Sequence, residues 1–355
     1  MDERNDIMGM LDLMVCPGFC VKNQKIEKLN PAAESLLLTP GTDIQQLLLT
    51  GRQEYSEFES GCLYLTLSVG GQSYGASVSR IGDWDIFVLE QEEDHSEFRS
   101  MALAARELRE PLTNVMVTAG RLFPLSAQES DPALQEQAAR LNRGLYQMLR
   151  ILGNMSDAGV DRSSRKEVCD LRAVMAEIFD KAAVMVQHTG LTLTYSGLNE
   201  DCFSYADREQ LERAVLNILS NAIKFSPANG TIDASFTRRG NLLSLRILDS
   251  GDGIPEKLLP SLFRRYLRQP GIEDSRFGIG LGMVLIRNAA AAHGGTVLID
   301  QPQGSGTRVT LTIKVQQNPS NTLRSPVLRV DYAGERDHCL LELSEILPAH
   351  LYKSE

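Results

Sequence analysis

Leu216-Asn217-Ile218-Leu219-Ser220-Asn221-Ala222-Ile223-Lys224-Phe225-Ser226-Pro227 is the stretch around which the chain can be read. Asn217 and Asn221 stand one helical turn apart, so both amides emerge on one face while the leucine-rich neighbours turn inward. Lys224 follows on the same face. An amide oxygen is a hard, neutral ligand suited to a magnesium ion that also holds phosphate oxygens and waters, and a lysine supplies charge for the phosphates. Taken alone, the pattern far more often marks solvated amides on a surface helix. Its meaning depends on residues further along the chain.

Three further motifs arrive in order. Asp249-Ser250-Gly251-Asp252-Gly253-Ile254-Pro255 comes directly after an apolar strand pattern, which would hold the Asp249 carboxylate rigidly enough to accept from an exocyclic amine. Gly251 and Gly253 allow a flat base to approach and supply the backbone angles of a tight turn. By itself this is a common turn that also occurs in calcium loops. Phe277-Gly278-Ile279-Gly280-Leu281-Gly282 opens a helix, whose first amides lack helical acceptors and form a ready phosphate cradle. Gly304-Ser305-Gly306-Thr307 precedes the last strand. The glycine run is not a dinucleotide fingerprint, because no acidic residue ends a second strand and no parallel βαβ unit surrounds it.

Together the four boxes resemble the catalytic and ATP-binding domain of sensor histidine kinases, within the GHKL-type group that also holds gyrase-type and chaperone-type ATPases. The resemblance implies ATP and Mg2+ as cofactors. It implies that Asn221 ligates magnesium, that Asn217 and Lys224 meet phosphates or metal, and that Asp249 reads adenine. Gly251 and Gly253 would shape the base pocket, and Gly278, Gly280, Leu281 and Gly282 would bound the triphosphate, with Thr307 completing the set. A lid would run from Pro255 to Phe277, and within it Leu262-Phe263-Arg264-Arg265-Tyr266 matches the phenylalanine box of the family.

Upstream the period changes. Phe98, Met101, Ala105, Leu108, Leu112, Val115, Ala119 and Leu122 alternate spacings of three and four, and after a break at Pro124 to Pro132 the rhythm returns in Leu134, Ala138, Leu141, Leu145, Met148, Leu152 and Met155. This predicts a helical hairpin, and two helices cannot hide both seams, so a homodimeric four-helix bundle is expected. In the first helix, Ala105-Arg106-Glu107-Leu108-Arg109-Glu110-Pro111-Leu112 resembles the H box of the same family, with Arg106 standing where the phosphoacceptor histidine belongs. A guanidinium stays protonated and has no lone pair with which to attack a γ-phosphate. Glu107, which the resemblance makes the proton acceptor, is left with nothing to deprotonate, and Glu110 replaces the residue that positions a water for dephosphorylation. Glu107, Arg109 and Glu110 also read as a solvated face with local ion pairs. His95 is no substitute, lying about 16 Å before Arg106 along the helix axis. His293 reads as a helix cap, and His188, His338 and His350 lack an acidic neighbour directly after them.

Ahead of the hairpin, short alternating strands are expected at Gly18 to Val21, Lys25 to Leu29, Leu63 to Val69, Tyr74 to Arg80 and Asp85 to Leu89. Asn30-Pro31-Ala32-Ala33-Glu34-Ser35-Leu36-Leu37 reads as a capped helix with proline at its first position. A strand followed by this helix resembles a PAS sensor domain, another small α+β domain being the alternative. The tail beyond Gln316 begins with a polar linker and regains pattern in Val327 to Asp331 and Leu340 to Leu347, predicting a strand and a short helix of unassigned purpose.

The expected fold is therefore multidomain α+β: a PAS-like α/β sensor domain (1–91), an antiparallel helical hairpin forming a dimeric four-helix bundle (92–160), a two-layer α/β sandwich ATP-binding domain (161–316) and a C-terminal extension (317–355). A length of 355 residues agrees with several cores. The net charge of -10 argues against nucleic acid as a partner. No run approaches the ~18 apolar residues of a membrane helix, and the start MDERNDIMGMLDL is acidic where an export signal is basic, so a cytoplasmic protein is expected. The six cysteines lack metal-site spacing and read as reduced thiols, with Cys16 and Cys20 the closest pair. Two functions remain open. One is a two-component sensor-kinase relative that binds Mg-ATP without phosphorylating this hairpin; the other is a non-enzymatic ATP-gated regulator that docks a response regulator or a partner histidine kinase. A stand-alone GHKL-type ATPase is disfavoured by the signalling modules.

Overall fold

The computed structural model describes residues 9, 11–90, 93–158, 166–197, 199, 202–255, 258, 262–263, 280–302, 306–315 and 336–353, with 93–98 and 158 described by backbone alone. The first module contains β1 (Gly18–Lys22), β2 (Lys25–Leu29), α1 (Pro31–Glu34), α2 (Ile44–Leu47), α3 (Arg52–Ser56), β3 (Cys62–Val69), β4 (Gln72–Ile81) and β5 (Trp84–Leu89). Its strands run in the order β2-β1-β5-β4-β3, all antiparallel. Asn30 caps α1 as expected, its Oδ1 accepting from the amide of Ala33 at 2.9 Å, and the same oxygen accepts from Gly18 at 3.0 Å. The cap therefore also ties the helix to β1. Phe19, Ile26, Ala33, Leu65, Val78 and Phe87 fill the core under the sheet.

Next come α4 (Glu93–Leu122), α5 (Leu125–Ser130) and α6 (Pro132–Ala158), the hairpin announced by the seam. The structure divides that seam in two. Ala105, Leu112 and Ala119 pack within the chain against Leu145, Leu149 and Leu152. The alternate positions face outward: Leu108 is 53%, Val115 52% and Met148 49% exposed, against 1% for Leu145. Inside α4, Pro111 has no amide hydrogen to give to the carbonyl one turn back, that of Glu107. No helix among the described residues is long and apolar enough to cross a membrane.

The third module holds β6 (Glu167–Asp170), α7 (Leu171–Gln187), β7 (Thr192–Ser196), β8 (Phe203–Ala206), α8 (Arg208–Phe225), β9 (Thr231–Arg239), β10 (Leu242–Asp249), α9 (Leu281–Ala292), β11 (Val297–Asp300) and β12 (Arg308–Lys314). Helices cover one face of a mixed sheet in which β7 runs parallel to β9 and the remaining pairs are antiparallel. Along β10, alternate residues Leu243, Leu245 and Ile247 turn into the core, the period-two pattern of a sheet with one covered face. The two sheets are not separate: β3 pairs with β11 through Cys62↔Ile299, Leu63↔Leu298 and Tyr64↔Val297, making one ten-stranded sheet across the modules. In the tail, α10 (His338–Glu342) and a following turn form within the Leu340 to Leu347 pattern. The strand expected at Val327 to Asp331 lies outside the described residues. All six cysteines are free thiols.

His293 closes α9, as its sequence position suggests. Its Nδ1 donates to the Ala289 carbonyl at 2.7 Å, and its Nε2 accepts the amide of Asp207, the N-cap of α8, at 2.9 Å. Only a neutral ring can do both. Burial pushes its pKa below the usual value, outweighing the backbone contact to Ala289. The unfolded chain then takes up this proton first, so stability falls as pH drops below about 6.5. His293→Ala should cost about 1–3 kcal/mol at pH 7 by orphaning the Asp207 amide, and should flatten the loss of Tm on acidification from about pH 6.5 to 5, read by calorimetry.

Candidate functional site

α8 begins at Asp207, whose carboxylate accepts from the amide of Gln210 at 3.0 Å, and ends with Lys224 in its last turn, where a cation suits the helix dipole. At the end of β10, Asp249 is buried. Its Oδ1 accepts from the amides of Gly251 at 2.9 Å and Thr307 at 3.0 Å. Burial raises the Asp249 pKa above the ordinary carboxyl value, partly countered by the Thr307 and Gly251 amides. The turn tolerates no larger residue at two of its glycines. A Cβ on Gly251 would lie 2.6 Å from the Phe225 carbonyl oxygen, and one on Gly306, at φ +87, would lie 2.1 Å from that of Asp249.

Gly280 caps α9 with φ +80, a left-handed conformation suited to glycine. A Cβ on Gly282 would approach Asn217 Oδ1 at 3.0 Å, so this glycine lets α9 close on α8. Leu281 is buried with Val284 against Met101 of α4 and Met155 of α6, which docks the start of α9 on the hairpin. Gly253 is in the same turn as Asp249 with φ +80. Gly278, and Arg264 to Tyr266 of the phenylalanine box, lie outside the described residues. Phe263 of that box is fully buried, its ring centroid 5.6 Å from that of Tyr64 on β3, and its carbonyl accepts from Arg287 Nη1 at 2.8 Å. Arg287 also pairs with Glu90, which accepts from the Tyr64 hydroxyl at 3.1 Å.

The three members of the α8 motif have different surroundings. Asn221 is half-buried, its amide nitrogen 4.0 Å from Met283 Sδ. Asn217 is enclosed: it donates to the Arg213 carbonyl at 2.9 Å and to Glu342 at 3.4 Å, and accepts from Arg150 at 3.4 Å. Lys224 meets Glu345 at 3.0 Å. Sequence reasoning gave Glu342, Glu345, Arg150 and Arg213 no role. The one available signal was a glutamate within Leu340-Leu341-Glu342-Leu343, a charge in an apolar run. Glu342 is 0% exposed and is held by Arg213 Nε at 2.9 Å and Arg150 Nε at 3.3 Å. Burial would raise the pKa of Glu345, but Arg150 and Lys224 outweigh it and hold the carboxyl below its usual range.

On the hairpin, Arg106, Glu107 and Glu110 are exposed on α4. Arg106 follows Met101, the residue of α4 against which α9 packs, by about one and a half turns.

Residues 206–317 match the family described as histidine kinase-, DNA gyrase B- and HSP90-like ATPases. The adaptive-response sensory kinase SasA of Synechocystis sp. is 27% identical over 286 residues, 76% of this chain and 73% of the relative. The histidine protein kinase DivJ of Caulobacter vibrioides is 29% identical over 230 residues, 62% of this chain and 38% of DivJ. Among solved structures, the histidine kinase ThkA in complex with the response regulator TrrA aligns with a TM-score of 0.43 at 16% identity, covering 87% of this chain and 98% of that one. The described sheet and helices, with an ATPase-family domain following a helical hairpin, define a multidomain α+β protein. Residues 206–317 therefore form a domain of the histidine kinase-, DNA gyrase B- and HSP90-like ATPase family, and the relatives aligned over the longer stretch are sensory and histidine kinases.

The raised pKa of Asp249 means that its contribution to folding is greatest below the ordinary carboxyl pKa and is lost as pH rises through the folded value. Asp249→Asn keeps an acceptor for both amides and removes that loss. Its Tm in the absence of nucleotide should exceed that of the parent protein at pH 7, and the difference should vanish near pH 4, measured by calorimetry across that range.

Proposed function

We propose that this protein is a two-component signalling protein that binds Mg-ATP and does not phosphorylate its own hairpin at the usual position. The carrying observation is the Asp249 carboxylate, buried at the end of β10 and fixed by the Gly251 and Thr307 amides, as an acceptor for the exocyclic amine of adenine must be. In this reading Gly251 and Gly253 admit the base, Asn221 ligates Mg2+, Asn217 and Lys224 serve the phosphates, and Gly278, Gly280, Leu281 and Gly282 border the triphosphate. The residues present suit that ligand: a neutral oxygen donor for the metal, a cation for the phosphates, and turns without room for side chains. Asn221→Ala or Asp249→Ala should weaken Mg-ATP binding at least about tenfold, ~1.4 kcal/mol, in a calorimetric titration. No binding to the parent protein would remove this reading.

The four segments 1–91, 92–160, 161–316 and 317–355 act in this proposal as PAS-like sensor, dimerisation hairpin, ATP-binding domain and C-terminal extension. The strand order β2-β1-β5-β4-β3 with a capped helix after β2 supports a PAS-like sensor. The outward row of Leu108, Val115 and Met148 supports a homodimer, since a second copy would cover it as a four-helix bundle. A response regulator or partner kinase is the protein that would dock on that bundle. Met148→Lys should release monomers in light scattering while leaving the fold intact. Leu145→Lys should unfold the hairpin, because Leu145 is buried within the chain.

Arg106 decides whether the ATP site is still catalytic. In Arg106→His the imidazole nitrogen would attack the γ-phosphorus, Glu107 would take the ring proton, and ADP would leave with the electron pair of the broken bond. Labelled ATP should then give a base-stable, acid-labile adduct that needs Asn221 and is reduced by adding Glu107→Gln. The parent protein should give none. An Arg106→His protein that binds ATP but acquires no label would favour the non-enzymatic regulator.

A further inference from the structure

The tail 336–353 does more than cover a surface. Cys339, Leu341, Leu343, Leu347 and Tyr352 are buried, and the segment lies between α6 and α8. From α6, Arg143 donates to the carbonyls of Ser344 at 3.0 Å and Glu345 at 2.7 Å, Gln147 donates to Ser344 at 3.0 Å, and Asn142 donates to Tyr352 at 3.1 Å. So anchored, the segment presents two carboxylates to one face of α8. Glu345 reaches Lys224 and Glu342 reaches Asn217, two of the three α8 groups on the phosphate and metal side of the proposed site.

A carboxylate and a phosphate oxygen compete for the same lysine, and two anions sharing one cation repel each other at short range. We propose that the C-terminal segment is a built-in latch: Glu345 and Glu342 occupy the positions a triphosphate needs, and Mg-ATP binds by displacing them. The inference rests on the ATP-binding reading of the same site. Displacement would also undo the bridge between α6 and α8, since Glu342 accepts from Arg150 of the hairpin and Arg213 of the nucleotide domain together. Nucleotide binding and release of the domain from its own hairpin are then one event. Because the coupling is reciprocal, Mg-ATP weakens docking of the tail by the same factor by which the docked tail weakens Mg-ATP, so loosening the tail tightens ATP binding.

The test titrates a fluorescent ATP analogue with Mg2+ into the intact 355-residue chain, Glu345→Gln and Arg143→Ala, and follows hydrogen exchange of residues 338–347 with and without Mg-ATP. Glu345→Gln removes a negative charge beside the phosphates and by electrostatics alone would favour the ligand. Arg143→Ala keeps both carboxylates and every cation contacting them, removes a positive charge, and only frees the tail. Both variants should bind about fivefold tighter than the parent protein or more. Mg-ATP should speed exchange at 338–347 in the parent protein. Tighter binding in Glu345→Gln but weaker or unchanged binding in Arg143→Ala would reduce the effect to local charge and overturn the latch. Equal affinity in all three proteins, with unchanged exchange, would also overturn it while leaving the ATP reading in place. Absence of binding in all three would remove both.

Discussion

Glu342 is the point on which the arrangement of the chain turns. Its carboxylate is wholly buried and would be intolerable there without partners, since moving such an ion out of water costs several kcal/mol even after relaxation. Its partners come from two other segments, Arg150 on α6 and Arg213 on α8, and Arg213 extends the cluster to Asn154 at 2.6 Å and to Asp157. Both arginines are buried with the glutamate, so none of the three can be left alone at low cost. Hairpin, nucleotide domain and tail are thereby held in one relative position by charges that satisfy one another. A buried ion cluster of this kind is weak evidence for net stability, because an apolar replacement of similar volume is often equally stable, but removing one partner alone is costly.

A second junction sits where the nucleotide domain meets the first module. There β3 and β11 complete a shared sheet, Phe263 at the root of the expected lid packs on Tyr64, and Arg287 reaches Glu90 just after β5. Glu90 is close in sequence to the start of α4, so the same residue borders the first module, the hairpin and helix α9. A change of shape in the first module would be felt at Phe263 through direct contacts. The backbone pairing at this junction is short, three residue pairs.

The hairpin illustrates how a periodic pattern can be right in outline and incomplete in assignment. A spacing of three and four places all seam residues on one side of each helix, but one side of a helix is wide enough to contain two rows. Ala105, Leu112 and Leu145 meet within the chain, whereas Leu108, Val115 and Met148 are turned away from it. Small residues occupy the internal row of α4 at Ala105 and Ala119, which lets α6 approach closely, and larger ones fill the external row. That difference in size was visible in the sequence, although periodicity alone does not use it.

Local rules were sufficient wherever the cause was local. The Asn30 cap, β1 to β5, β9 and β10, the glycine turns around Asp249 and the hairpin helices follow from spacing, capping chemistry and backbone sterics within a few residues, whereas the short pair β6 and β8 was not anticipated. What the tail does was not legible, because Glu342 and Glu345 acquire meaning only from Arg150, Arg213, Asn217 and Lys224, more than a hundred residues away along the chain. The joining of β3 to β11 escaped for the same reason, as every strand edge offers the same amides and carbonyls and sequence does not say which edges will meet. The sequence determined the local elements, with their caps, turns and apolar faces. Tertiary structure decided which module faces which, because burial makes a charge choose its partner and only the folded chain brings the candidates together.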